Sequence, residues 1–536
     1  MARRGRWPQG APCVYKRTHE AVDSMGSFGS GNVGFSVALA DERATHRLMQ
    51  DLAGLLEPGD VITLSGDLGA GKTTFARALI RHLAGDDSLE VPSPSFTLTQ
   101  TYALPRFTVV HADLYRLSGP AELAELGLDD LATNDVLLLE WPDRAQGLLP
   151  ADRIDVALTL SPQQGATFRN ARVTGHGALA PRVARIAAIR DFLARHGFGE
   201  AARRRIEGDA STRSYERLTR EGTTYILMNA PPRPDGPPVR DGKPYSAIAH
   251  LAEDMTPFLA MAHGLRALGL SAPAVFAADR TLGLAVLEDL GNEPVVDGDP
   301  PAPVEARYAA AVDLLAFLHA QALPDTLSAD GVRYVLPRYD MDAFLIEVEL
   351  LIDWYLPRLD AAPAAEARAR YRALWKEALT PLFDAPPTWV LRDYHSPNLI
   401  WLPEREGLAR VGLIDFQDAL IGPAAYDVAS LLQDARVDVP EAMEIALLSR
   451  YVRARMNTDA CFDAATFARD YATVAAQRAS KILGIFARLD RRDGKPQYLR
   501  HLPRVWAYLL RALAHPALGE LAAWYHAHVP ALTSLR

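Results

Sequence analysis

Gly66-Asp67-Leu68-Gly69-Ala70-Gly71-Lys72-Thr73 follows the apolar run Val61 to Ser65 and leads straight into the helical stretch TTFARALIRHLAG. Strand, glycine-rich turn and helix in that order form the setting that G-x-x-x-x-G-K-[ST] requires. Glycines let successive backbone N–H groups face phosphate oxygens, and the helix N-terminus adds the positive end of its dipole. Lys72 is placed to neutralise β and γ oxygens, and the Thr73 hydroxyl to ligate magnesium. The expected nucleotide-binding set is Gly66, Asp67, Gly69, Ala70, Gly71, Lys72, Thr73 and Thr74, with Lys72 also catalytic. Outward from this loop, the runs VITLSG, FTVVHAD, DVLLLEW and RIDVALTL alternate with helical stretches. That alternation predicts an α/β P-loop NTPase domain with a mostly parallel sheet over 33–177.

Hydrolysis needs a second acid to hold or organise magnesium. FTVVHAD ends at Asp113 and DVLLLE at Glu140. Each is an apolar run closing in a carboxylate where a parallel sheet presents it to the nucleotide crevice. Either fits the role, and either can instead cap the next helix. Residues 92–95, Pro-Ser-Pro-Ser, read as a stiff turn or a switch, and His111 reads as a packed strand-end histidine.

GHGALAPR has the composition of a linker, placed at 178–182, and a second domain is expected over 183–536. It opens with the helix RVARIAAIRDFLARHG and two short strands turned at Arg220-Glu221-Gly222. Helices dominate thereafter, apart from strands near TWVL, NLIWL and VGLIDF, which gives a two-lobed, protein-kinase-like α+β domain. Leu391-Arg392-Asp393-Tyr394-His395-Ser396-Pro397-Asn398 reproduces the R-D-x-x-x-x-N spacing of kinase catalytic loops. In such loops the Asp accepts the substrate hydroxyl proton and the Asn holds magnesium. The hairpin from Asn398 to VGLIDF carries Asp415 back beside Asn398 as a second metal ligand. Upstream, Ser211 and Arg213 in GDASTR sit where a loop covers phosphates, and Glu288 and Leu290 in LEDLG where a hinge offers backbone groups to adenine. His319 reads as a helix-packing residue and Asp427 as a brace for the catalytic loop.

Composition excludes several classes. With 49% hydrophobic and 23% charged residues the chain buries sizeable cores and is neither disordered nor fibrous. Sixty-six acids against 57 bases leave −9, which disfavours direct nucleic-acid or anionic-membrane binding through bulk charge. Cys13 and Cys461 build neither a disulfide framework nor a zinc site, which fits a reducing cytoplasm. The most apolar window, Val505 to Trp524, is interrupted by Arg511, His515 and Glu520, so no membrane span is expected. Residues 1–32 are expected to be a disordered tail or an over-extended gene start.

GDLGAGKTT, PSPSFTL, HADLYR and LEWPDR, in that order, resemble the bacterial ATPase of tRNA threonylcarbamoyladenosine biosynthesis, the TsaE family. The resemblance implies ATP hydrolysis in support of a tRNA-modification complex with TsaB/TsaD-like subunits. It also implies that Thr73 and Glu140 bind magnesium, that Asp113 acts near the γ-phosphate as a catalytic group, and that Trp141 packs beside the nucleotide. Ser95 stands where the family usually has Thr. GDASTRSYERL, YILMNAPP, LEDLG, LRDYHSPNLIWL and GLIDFQDALIGPAAYDVASLLQDAR are similar to the aminoglycoside phosphotransferase-like kinases. Within them they resemble the anomeric N-acetylmuramate/N-acetylglucosamine kinases, the AmgK family. That resemblance implies transfer of the ATP γ-phosphoryl group to the anomeric hydroxyl of an amino sugar in peptidoglycan recycling. One departure is that Tyr225-Ile226-Leu227-Met228 lacks the usual phosphate-binding Lys, a charge that Arg213 is placed to supply. Two alternatives stay open: an aminoglycoside, choline or other hydroxyl acceptor for the second domain, and a nucleotide-dependent interaction module for the first.

Overall fold

The computed structural model describes residues 33–530 except 96, 118–133, 146–147, 166–167, 207–212 and 233–235. The expected tail over 1–32 and Ser211 therefore lie outside the described residues. The chain divides into two compact units, Met1–Arg203 and Arg204–Arg536.

The first unit is built on a seven-stranded sheet of order β1-β7-β6-β2-β5-β4-β3. The strands are β1 (Val33–Leu39), β2 (Val61–Ser65), β3 (Thr99–Ala103), β4 (Thr108–Asp113), β5 (Val136–Glu140), β6 (Arg153–Leu160) and β7 (Arg169–His176). β2 pairs in parallel with β5 and β6, and β4 in parallel with β5. β7 is antiparallel to both β1 and β6, and β3 is antiparallel to β4. Only β3 and β7 therefore oppose the common direction, and the expected mostly parallel sheet is mixed at its margins. The central strands β2 and β5 are mostly apolar and almost wholly buried, as strands covered on both faces must be, with Thr63 and Ser65 in β2 and Glu140 closing β5 as their polar residues. Helices α1 (Glu42–Leu55) and α2 (Lys72–Ala84) bury Leu48, Leu52, Phe75 and Leu79 in a shared core with the sheet.

The linker expected at 178–182 is not where the chain divides. Residues 177–179 form one 3-10 turn that runs into helix α3 (Ala180–Arg195). α3 buries Val183, Ile186 and Ala187 in the core of the first unit. Arg182 pairs with Glu57 at 3.0 Å and with Asp60, and Arg190 pairs with buried Asp51. The division instead falls inside β8 (Ala202–Ile206), between Arg203 and Arg204.

The second unit begins with a five-stranded sheet of order β11-β12-β10-β9-β8, where β9 is Ser214–Arg220, β10 Thr223–Asn229, β11 Val275–Asp279 and β12 Leu284–Glu288. Glu221 and Gly222 both take positive φ, 51° and 79°, the geometry of a two-residue hairpin turn. A large helical part follows: α4 (Thr256–Ala267), α5 (Glu305–Leu318), α6 (Met341–Leu350), α7 (Ala365–Leu379), α8 (Ala425–Leu432), α9 (Glu441–Thr458), α10 (Ala464–Asp493), α11 (Leu502–Leu513) and α12 (Gly519–His528). Two short hairpins sit among these helices, β13 (Thr388–Val390) with β16 (Leu420–Gly422) and β14 (Leu399–Trp401) with β15 (Val411–Leu413). The long α10 crosses α6 closely at Gly484, where a Cβ would stand 2.3 Å from the Leu350 carbonyl carbon, so no larger residue fits. Among the described residues no helix is long and apolar enough to cross a membrane.

Candidate active sites

In the first unit the chain leaves β2 and turns at Gly66, whose φ is 137°. A Cβ there would lie 2.3 Å from the Leu158 carbonyl oxygen, so only glycine lets the loop start against β6. Gly69 and Gly71 are also left-handed, at 81° and 98°, and Gly71 opens α2. Lys72 curls back over the loop, donating to the Gly66 and Asp67 carbonyl oxygens at 2.8 and 2.9 Å. Its ammonium lies 3.5 Å from the centre of the Trp141 ring, a cation–π seat. Burial pulls the Lys72 pKa down, while Glu140, Asp113 and Asp67 pull against it.

The parallel register sets Asp113 directly beside Glu140, and hydrogen bonds distinguish the two acids. Thr73 Oγ1 donates to Glu140 Oε2 at 2.9 Å, and His111 Nε2 donates to Glu140 Oε1 at 2.9 Å. Both Glu140 oxygens are thus oriented, and the residue is 1% exposed. Asp113 accepts instead from the Tyr115 backbone N–H at 3.0 Å and lies at the end of β4. His111 is therefore more than packing: its ring, fully buried, holds the acid that faces the loop. Arg169, from β7, donates to the Ala70 carbonyl at 2.8 Å and flanks Gly71. His111 opens the HADLYR run but nothing there marks its role, Arg169 falls in no motif, and the order of the sheet places both. The Thr73 hydroxyl and Glu140 carboxylate form an all-oxygen pair, the donor chemistry magnesium takes alongside waters and phosphates.

In the second unit the catalytic-loop residues converge. Asn398 Nδ2 donates to the Asp393 carbonyl at 2.9 Å and reaches Asp415 Oδ2 at 3.4 Å. The β14–β15 hairpin, in register from Leu399↔Leu413 to Trp401↔Val411, brings Asp415 there. Arg213 Nη1 approaches Asp415 Oδ1 at 3.3 Å, and Gln417 Nε2 donates to that oxygen at 2.9 Å. Burial, and then Asp393, raises the Asp415 pKa. Asp393 moves the other way: burial alone would raise it, but His395, Lys481, Arg392 and Arg478 outweigh burial and keep it low. Asn398 and Asp415 again present oxygen donors that fit magnesium, and among the described residues no group of three or more His, Cys, Asp or Glu forms a metal cluster.

The loop is held from several sides. Buried Asp427, on α8, accepts the Leu391 and Arg392 backbone N–H groups at 2.6 and 2.9 Å. Asp434 accepts from the Ser396 N–H and hydroxyl at 2.8 and 2.5 Å. Arg392, at φ 71°, pairs through its buried side chain with Glu347 on α6. Lys481 and Gln477 of α10 each reach Glu347 at 2.8 Å, and Tyr339 donates to it as well. Burial would raise the Glu347 pKa, but Lys481 and Arg392 bring it down to about 2. Removing this carboxylate strands two buried cations, so Glu347→Gln is expected to cost about 3–5 kcal/mol of stability at neutral pH. Because the folded pKa is depressed, that contribution is complete above the unfolded value and fades as pH falls toward about 2. Denaturant midpoints of the two proteins should therefore differ most near pH 7 and converge in acid. Equal gaps at pH 7 and pH 3 would contradict this.

Glu288 accepts from the Ala274 N–H at 3.0 Å and pairs with Arg405 at 2.5 Å, so its side chain braces β12. Leu290 is buried just beyond it. Gly291, Asn292 and Pro294 then line a cavity of about 520 Å³ together with Leu399 and Ile414. His319, whose Nδ1 lies 2.8 Å from the Tyr451 hydroxyl, is buried between helices, and burial drives its pKa down to about 3.

A family profile described as threonylcarbamoyl adenosine biosynthesis protein TsaE matches residues 39–169. One described as phosphotransferase enzyme family matches residues 202–463. An N-acetylmuramate/N-acetylglucosamine kinase of Caulobacter vibrioides is 42% identical over 362 residues, covering 65% of this chain and 98% of the relative. The protein of that name from Pseudomonas aeruginosa is 33% identical, covering 62% of this chain and 90% of its own length. A tRNA threonylcarbamoyladenosine biosynthesis protein TsaE of Rickettsia bellii is 41% identical over 122 residues, 23% of this chain and 84% of the relative.

Proposed function

The chain belongs to the TsaE family through its first unit and to the N-acetylmuramate/N-acetylglucosamine kinase family of phosphotransferases through its second, and from that premise we propose a bifunctional enzyme with two separate ATP sites. The first unit hydrolyses ATP in support of tRNA threonylcarbamoyladenosine modification and docks with subunits of that complex. The second phosphorylates the anomeric hydroxyl of N-acetylmuramate or N-acetylglucosamine. The observation that carries the second assignment is the meeting of Asp393, Asn398 and Asp415 within one loop and hairpin.

In the kinase unit the acceptor hydroxyl gives its proton to ionised Asp393 as its oxygen forms a bond to the γ-phosphorus. The bond to the β–γ bridging oxygen breaks, and ADP leaves. Asn398 and Asp415 would hold magnesium, which supplies charge neutralisation to the phosphates when bound. Arg213 stands beside them and takes the place of the missing strand lysine. In the ATPase unit Thr73 and Glu140 would hold magnesium, Lys72 neutralises the β and γ oxygens, and Trp141 seats the lysine. Asp113, at the next strand end, orients the attacking water.

Full-length protein incubated with ATP, magnesium and each sugar should yield ADP and a sugar 1-phosphate, read by phosphorus NMR. Transfer to an aminoglycoside or choline, with none to either sugar, would overturn the assignment. Arg213→Ala is expected to raise the KM for ATP in sugar phosphorylation about tenfold, the value of one charge-assisted hydrogen bond. Unchanged KM and turnover would remove Arg213 from the phosphate site.

A further inference from the structure

Asp393 emerges from a strained turn. Its N–H donates to the Leu391 carbonyl at 2.9 Å, two residues back, and Arg392 between them has φ 71°. This is the left-handed form of the γ-turn, centred on a φ of about +75° and rare because a side chain crowds its own backbone there. Glu221, Asp241, Asp330 and Asp360 of this unit also take positive φ, but in exposed turns. Arg392 is 2% exposed, so its neighbours must impose the conformation.

Two helices grip the turn by its backbone. Asp427 of α8 accepts the Leu391 and Arg392 N–H groups. The Arg392 carbonyl, which begins the peptide link to Asp393, accepts from Arg478 Nη1 of α10 at 3.1 Å, with the Ser430 hydroxyl of α8 at 3.5 Å. Arg478 is 6% exposed and lies over the Tyr426 ring at 4.8 Å. Its neighbours on α10, Gln477 and Lys481, are spent on Glu347, whereas Arg478 forms no salt bridge among the described residues. Burying a guanidinium costs desolvation that a carbonyl only partly offsets, so stability alone does not account for its place.

We propose that Arg478 is a positioning residue for phosphoryl transfer: by holding the Arg392 carbonyl it keeps the Arg392–Asp393 peptide in the left-handed turn, and that turn aims the Asp393 carboxylate at the acceptor hydroxyl. The assignment rests on the kinase reading above. Rotation of this peptide would swing the Cα–Cβ bond of Asp393 with it, and a displacement of about 1 Å in a reacting geometry costs about 10²-fold. Asn398 and Asp415 are placed by the hairpin that follows, through its own register.

The test uses the full chain with ATP, magnesium and N-acetylglucosamine or N-acetylmuramate. Arg478→Met, which fills the space and removes the donors, should lower kcat about 10²-fold while the KM for ATP and for sugar changes less than about threefold. Arg478→Lys, which restores a charged donor without the planar fork, should regain about tenfold of that loss. In an Asp393→Asn background Arg478→Met should cost less than about threefold, because residues that act through one another are not additive. A comparable loss in both backgrounds, a loss carried by KM, or a kcat left intact overturns the positioning role and leaves the kinase standing. If Arg478→Met does not fold, the same cycle is run with Arg478→Lys, which should lower kcat about tenfold only where Asp393 is present. No loss, or an equal loss in both backgrounds, then overturns the role. Failure of the unaltered chain to phosphorylate either sugar overturns the kinase reading and the role with it.

Discussion

Sugar phosphorylation is expected to fall about 10³-fold when Asp393 is replaced by Asn, within the range of about 10²–10⁴ that a positioned general base contributes. Asn keeps the size of the side chain and loses only the ability to take the proton. The catalytic loop stays braced, because Asp427 and Asp434 hold its backbone independently of the Asp393 side chain. ATP hydrolysis by the first unit should be unchanged. Steady-state rates of ADP release with and without sugar separate the two activities. A loss below tenfold would show that Asp393 is not the base.

Lys72→Ala should do the reverse. One lost electrostatic stabiliser in a preorganised site costs about 10²–10³-fold in turnover, and Lys72 is 5% exposed among Gly66, Asp67 and Trp141. Sugar-independent ATP hydrolysis should drop by that factor while sugar phosphorylation survives. The two substitutions form a crossed pair. If either silenced both activities in a protein that still melts cooperatively, two independent sites would be the wrong picture.

The parts of both sites that were legible lie in short windows. The eight residues from Gly66 to Thr73 contain a whole phosphate cradle because each glycine answers a local backbone demand, the positive φ at Gly66, Gly69 and Gly71. Asp393, Asn398 and Asp415 lie within one loop and one hairpin, so their meeting follows from turn chemistry alone. The supporting residues were not legible. His111 reaches Glu140 across 29 positions, Arg392 reaches Glu347 across 45, and Asp434 reaches Ser396 across 38. Motifs mark one member of such a pair, but nothing local says which remote side chain it will meet. Strand order in the first unit and the packing of α6, α8 and α10 in the second decide which side chains meet. The same reason moved the domain boundary, since the Gly and Ala content before α3 resembles a linker. Its apolar stripe of Val183 and Ile186 does not say which sheet it covers, and the pairing of Arg182 and Arg190 with Asp60 and Asp51 settles that it belongs to the first.

By itself the amino-acid order determined two kinds of nucleotide chemistry and their sequence along the chain, because backbone conformation and motif spacing act over a few residues. Only the folded chain decided which strand-end acid takes the Thr73 hydroxyl and what steadies the catalytic loop from behind. Those outcomes depend on desolvation and on distances between remote segments, and both come into being only when the core closes.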